Sequence, residues 1–218
     1  LDTFPYVSRA FWHGFHEELH TLYPHLTTVG EIMNGDATIV SAFAGGVQRT
    51  GLDLGIDTGL DTSFDYPTYF ALRDVFLKDA PMTRLGDLLR MDDLYPHPER
   101  LIMFLGNHDV SRFMNDPAAS MQKLDMALTL LATMRGMPEF YAGDELAMKG
   151  GDDPDNRHDF PGGFPGDTAD AFTANGRTAE QQKAYTMLRT LLTLRREHPA
   201  LEGGEEQLLR AEKNVLVY

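Results

Sequence analysis

Two patterns in this 218-residue chain could do chemistry. The first is H-E-x-x-H at His16, Glu17 and His20, the spacing with which two histidines on one helix hold zinc while the glutamate activates its water. The second is positional. Carboxylates follow apolar runs: Asp2 opens the chain, Glu31 follows "TTVG", Asp109 follows "FLGNH", and Asp144 and Glu145 follow "EFYAG". In α/β barrels the C-terminal ends of the strands carry the active site. The alternative for each single residue is that it caps the next helix. Capping explains Asn107-His108-Asp109 poorly, because no turn requires the histidine.

The zinc pattern fails on its surroundings. A zinc site needs both histidines on one buried face and a third ligand. At roughly 100° per residue, the apolar stripe of this helix centres between Phe15 and Leu19. That puts His16 on its flank and His20 toward solvent. Tyr23 stands where the glycine of a longer zinc motif would fall, and Leu26 where its third histidine would. The pattern is read as a polar helix face, and no metal is expected on it. "DDPDNR" fails as an EF-hand calcium loop, since Arg157 and His158 occupy the fifth and sixth positions counted from Asp153.

The carboxylates need elements to hold them. Apolar runs at residues 26–32, 62–66, 101–107 and 137–143 read as strands, the third apolar throughout, as a strand covered on both faces should be. Helical patterns lie between and after them. Ser8 can cap one carrying Phe11, Trp12, Phe15, Leu19 and Leu22; others run over 121–134 and 178–198. This alternation predicts a parallel α/β sheet over residues 1–200. Residues 205–218 alternate like an antiparallel strand pair after Gly203-Gly204 and read as the first strands of a C-terminal β domain, 201–218. The segment between Lys149 and Gly176, rich in Gly, Pro and Asp, is a loop long enough to be functional.

Composition narrows the partners. A net charge of -14 disfavours nucleic acid and anionic membranes, and suits a neutral or cationic small ligand. Without cysteine there is no thiolate chemistry or disulfide, and the compartment stays open.

The motifs resemble those of the α-amylase family, glycoside hydrolase family 13. "LDTFPYV" is similar to the end of the family's fourth-strand motif, "TVGEI" to its fifth, "LIMFLGNHDVSRF" to its seventh and "GMPEFYAGDE" to its eighth. "NRHDFPGGFPGDTADAF" resembles the loop after strand eight in bacterial cyclomaltodextrinase and neopullulanase-like enzymes. The resemblance implies a retaining α-glucan hydrolase acting on maltooligosaccharides or cyclomaltodextrins. Asp2 would be the nucleophile, Glu31 the general acid/base and Asp109 the carboxylate that binds sugar hydroxyls. His108 would donate to the same sugar, Asn107 would steady the strand end, and Met33 would line the leaving-group side, where relatives often carry Trp-His after the glutamate. Arg157 and Asp159 would touch substrate, close the pocket, or form a solvated salt bridge. Tyr66, Tyr141 and Phe164 are candidate sugar platforms. The alternatives are a transglycosylase of the same mechanism and a silent glucan-binding module.

The resemblance also implies that this chain is the second half of a TIM (β/α)8 barrel followed by the start of an antiparallel β-sandwich. The remaining half of the barrel, or a larger parent chain, would be its partner. No cofactor is implied, and any structural calcium would lie in the missing part. A half-barrel alone leaves strand edges and inner apolar faces open, so residues 1–218 by themselves are expected to be insoluble, molten or associated, and catalytically silent.

Overall fold

The structure is a computed structural model and describes residues 1–49 and 55–218. Four short parallel strands lie in chain order. β1 (Val29–Gly30) pairs with β2 (Thr62–Ser63) in the register Val29 to Thr62. β3 (Ile102–Met103) pairs with β4 (Met137–Pro138) in the register Ile102 to Met137. A parallel bridge between Phe64 and Ile102 joins the two pairs, so β3 begins where β2 ends. The N-terminus extends the sheet. The Leu1 amino group donates to the Val29 carbonyl at 2.6 Å, and the Glu31 amide donates to the Leu1 carbonyl at 3.1 Å. These two bonds set Leu1 opposite Gly30 and Asp2 beside Glu31.

The paired segments are shorter than the apolar runs that contain them, because each strand overlaps its neighbour by only two or three residues before rising clear. For β3 that clear stretch leads to Asn107, His108 and Asp109.

Helices cover the sheet. α1 (Arg9–Leu22) is capped by Ser8, whose side chain accepts from the Phe11 amide; α2 (Ala37–Ser41) is capped by Asp36. α3 (Tyr66–Leu77) starts at Asp65, whose side chain accepts from the Thr68 amide, with a proline in its first turn. α4 (Thr83–Leu89) packs beside α3. α5 (Met121–Thr133) and α6 (Ala179–Glu197) pack on each other, the latter opened by a capping box of Thr178 and Gln181. α7 (Pro199–Gly203) follows. An N-cap of this kind stabilises a helix by about 1 kcal/mol. β5 (Arg210–Ala211) and β6 (Leu216–Val217) form an antiparallel pair against α4, where a side-chain carbon at Gly86 would lie 2.4 Å from the Ala211 Cβ.

α1 turns a different face inward from the one its apolar stripe predicts. Trp12 and His16 are buried, at 6% and 1% exposure, whereas Phe11, Leu22 and Tyr23 are more than half exposed. His16 is held on both ring nitrogens. Nδ1 contacts the Trp12 and Thr58 carbonyls at 2.9 and 2.7 Å, and Nε2 contacts Thr28 Oγ1 at 3.0 Å. His20 meets Asp61 at 3.1 Å. The reading of His16 as a flank residue is thus corrected: the Trp12 carbonyl of its own helix, with Thr28 and Thr58 from the approaches to β1 and β2, satisfies its buried ring.

Candidate active site

The carboxylates converge at the strand ends. Glu31 follows β1 directly, and the pairing at Leu1 brings Asp2 alongside on the adjacent strand. The Asp2 side chain is close enough to act on the Glu31 carboxyl. Thr3, held in the left-handed region at φ 50°, turns the chain so that its amide donates to Glu31 Oε2 at 3.3 Å. Asp109 is close enough for its charge to act on Glu31. Burial, the Asp2 side chain and the Asp109 charge push the Glu31 carboxyl above the usual glutamate range; the Thr3 amide pulls the other way.

Asp109 is set by its own turn. Its amide donates to Asn107 Oδ1 at 2.9 Å, and Asn107 is 3% exposed. His108 Nε2 stands 3.3 Å from Asp109 Oδ2, and Arg157 Nη2 stands 3.4 Å from Oδ1. Arg157 also pairs with Asp153 at 2.6 Å and donates from Nε to the His108 carbonyl at 3.0 Å. The histidine and both sides of this ion pair are partly open to solvent, as ligand-facing groups must be. Met33 lies two residues beyond Glu31 and is 52% exposed. The structure therefore brings Asp2, Glu31, Asp109, His108 and Arg157 to one end of the sheet, with Asn107 beneath them.

Under the carboxylates is an aromatic floor of Tyr66, Tyr69 and Phe104. Tyr69 stacks on Phe104 at 4.9 Å, and Tyr66 meets Phe104 edge-on at 5.1 Å. Tyr66 is fully buried, which corrects its reading as a sugar platform: its ring has no free face. Burial pushes its phenol up to about 12; the Glu31 and Asp109 charges add to the rise, and a hydrogen bond with Asn107 opposes it. Phe164 is exposed, while the Tyr141 ring is covered by the Arg112 guanidinium at 4.3 Å.

Two further acids lie at the end of β4. Burial raises Glu139. It pushes Asp144 up to about 7, against the Tyr141 amide and Arg112, whose Nη1 stands 3.7 Å away. Neither carboxylate stood out in the sequence as one whose proton affinity burial would raise. The signal, a strand-end acid followed by an apolar helix, is shared with ordinary caps. Among the described residues, no group of three or more His, Asp and Glu side chains is arranged to hold a metal ion.

Residues 6–204 match the family model described as "Alpha amylase, catalytic domain". The chain is 32% identical over 214 residues to the "Beta/alpha-amylase" of Paenibacillus polymyxa, covering 95% of this chain and 15% of that protein. It is 37% identical over 117 residues to the cyclomaltodextrin glucanotransferase of Geobacillus stearothermophilus, covering 54% of this chain and 14% of the relative. It superimposes on the crystal structure of the α-amylase from Geobacillus thermoleovorans, complexed with acarbose, with a TM-score of 0.77 at 29% identity, covering 99% of this chain and 44% of that one. The chain thus spans less than half the length of each of these proteins.

Proposed function

The chain belongs to the α-amylase family, glycoside hydrolase family 13, with the fold of a TIM-barrel fragment, and from that premise we propose that its protein cleaves α-glucosidic bonds with retention. The observation that carries the proposal is the Asp2–Glu31 pair, in which burial and its neighbours raise the proton affinity of one carboxyl beside another. A retaining glycosidase needs this division between an acid and a nucleophile.

In this reading the Asp2 carboxylate attacks the anomeric carbon while the glycosidic C–O bond breaks, and the Glu31 proton passes to the leaving oxygen. Glu31, now ionised, takes a proton from water. That water attacks the same carbon and releases Asp2. Around a bound sugar the two carboxyls stand about 5–5.5 Å apart. Asp109 accepts from sugar hydroxyls, His108 donates to the same ring, and Arg157 orients Asp109. Asn107 fixes the turn, and Met33 lines the leaving-group side.

The four parallel strands are, in this proposal, the second half of the barrel over residues 1–200. The β5–β6 pair in 201–218 opens the C-terminal β domain. The substrates are maltooligosaccharides or cyclomaltodextrins, a choice supported by the acarbose-bound neighbour and the glucanotransferase relative. The glucanotransferase likeness also favours a second reading, in which a sugar hydroxyl takes the place of water in the second step.

The test is to incubate the full-length protein with maltoheptaose and with a cyclomaltodextrin, and to follow reducing ends and product lengths. New reducing ends support hydrolysis. Longer products without new reducing ends support transfer. Unchanged substrates sink both.

A further inference from the structure

Asn156 is fully buried in the long loop after β4, and its side chain faces the turn that carries Asp109. Nδ2 lies 3.2 Å from the Asn107 carbonyl, 2.9 Å from that of His108 and 2.9 Å from that of Val110. An amide nitrogen has two hydrogens, so three carbonyls that would otherwise repel one another share one donor group. These carbonyls are the backbone of the turn presenting His108 and Asp109. Asn156 is itself fixed from behind. Its carbonyl accepts from Arg112 Nε at 2.9 Å, and Arg112 is 1% exposed, its Nη2 donating to the Ala142 carbonyl at 2.8 Å. The Arg112 amide donates to the Gly150 carbonyl at 3.0 Å, and a side-chain carbon at Gly150 would lie 2.7 Å from the Asn156 Cα. The loop therefore cannot slide at this point.

We propose that Asn156 is a positioning residue for Asp109: it gathers the carbonyls of the turn from below, while its neighbour Arg157 holds the Asp109 carboxylate from the solvent side. The inference rests on the reading of Asp109 as a substrate-binding carboxylate. It makes the long loop part of the catalytic apparatus through one donor group. Asp in place of Asn keeps the shape and loses the donor, so it separates the two ways Asn156 could matter.

The experiment measures kcat and KM on maltoheptaose for the full-length protein and for Asn156→Ala, Asn156→Asp, Asp109→Asn and the Asn156→Ala/Asp109→Asn double variant, with melting curves for each. A misplacement of about 1 Å costs about 100-fold, and that loss is expected in kcat for Asn156→Ala. Asn156→Asp should lose at least as much. In the Asp109→Asn background, Asn156→Ala should cost less than about threefold, since its effect passes through Asp109. Equal losses in both backgrounds would show only general support of the fold and overturn the proposal. Wild-type activity in Asn156→Asp would overturn the donor role even if the alanine variant did not fold. An active wild type with a fully active Asp109→Asn would instead sink the reading of Asp109, and the inference with it.

Discussion

Glu31 stands beside Asp2 across the sheet edge, and its carboxyl is raised above the usual glutamate range by burial first, then by Asp2, with the Asp109 charge adding to the rise. One glycine-ended strand, one terminal pairing and one Asx turn place these three groups. Their chemistry follows from what each does to the others.

The first prediction concerns that coupling. A carboxyl raised in the folded state holds its proton to higher pH than usual, so the acid catalysis proposed for Glu31 should be present at low pH and lost as pH rises through its raised value. Asp109→Asn removes one of the charges that raise it. Titration of the Glu31 carboxyl by carbon-13 NMR in the full-length protein should move to lower pH in that variant. An unmoved titration would mean that Asp109 does not act on Glu31.

Substitution should separate the two roles. Asp2→Asn should abolish cleavage of every α-glucoside, since an amide cannot form the glycosyl ester. Glu31→Gln should lose maltooligosaccharide cleavage by about 100-fold or more and recover in part on an activated aryl glucoside, where the leaving group needs no proton. Full activity of either variant on maltoheptaose would refute the assignment.

A structural prediction follows from Arg135. Its guanidinium is 5% exposed and ion-pairs with Asp65 and Asp92, tying the first turn of α3 to the approach to β4. Burial raises Asp92 even so, which shows how far the pair depends on its arginine. Arg135→Met leaves Asp65, at 2% side-chain exposure, without its cation. The expected loss is about 3–5 kcal/mol. Urea denaturation of the full-length protein reads it, and a change below about 1 kcal/mol would show that the network relaxes.

Asp144 gives a pH dependence of stability. Its folded value of about 7 lies above the ordinary carboxylate range. Between the two values the folded state binds the proton that the unfolded state has released. Stability therefore falls as pH rises from about 4 to about 7, by roughly 4 kcal/mol at most. Asp144→Asn keeps an acceptor for the Tyr141 amide and carries no charge. It should melt higher than wild type at pH 8 and nearly equally at pH 4; the reverse order would put the ionised form of Asp144 in the fold.

Much of the fold is legible in the sequence because its signals are local. The four apolar runs mark the four strands in order, and Ser8 announces its helix. α3 is not legible in the same way: residues 66–77 are apolar around most of the helix, so no period emerges, and only Asp65 and Pro67 signal its start. Nor does the period of α1 say which of its apolar sides is covered. His16 is turned inward by Thr58 and Thr28, 42 and 12 residues away. At the site, Asp2, Glu31 and Asp109 stand out as strand-end acids, but their mutual reach rests on the Leu1–Val29 pairing and the Asn107 turn. Asn156 gives no signal at all, since its meaning lies in carbonyls 46 to 49 residues away.

The central claim is that Asp2 forms a covalent bond with the sugar, and one measurement addresses it directly. The full-length Glu31→Gln variant, slowed in releasing the intermediate, is mixed with an activated α-maltosyl fluoride, quenched in acid, digested and analysed by mass spectrometry. The account predicts a maltosyl adduct on the peptide containing Asp2, absent when Asp2→Asn is added. An adduct on Asp109 or another side chain, or substrate turnover with no adduct at any time, would contradict it.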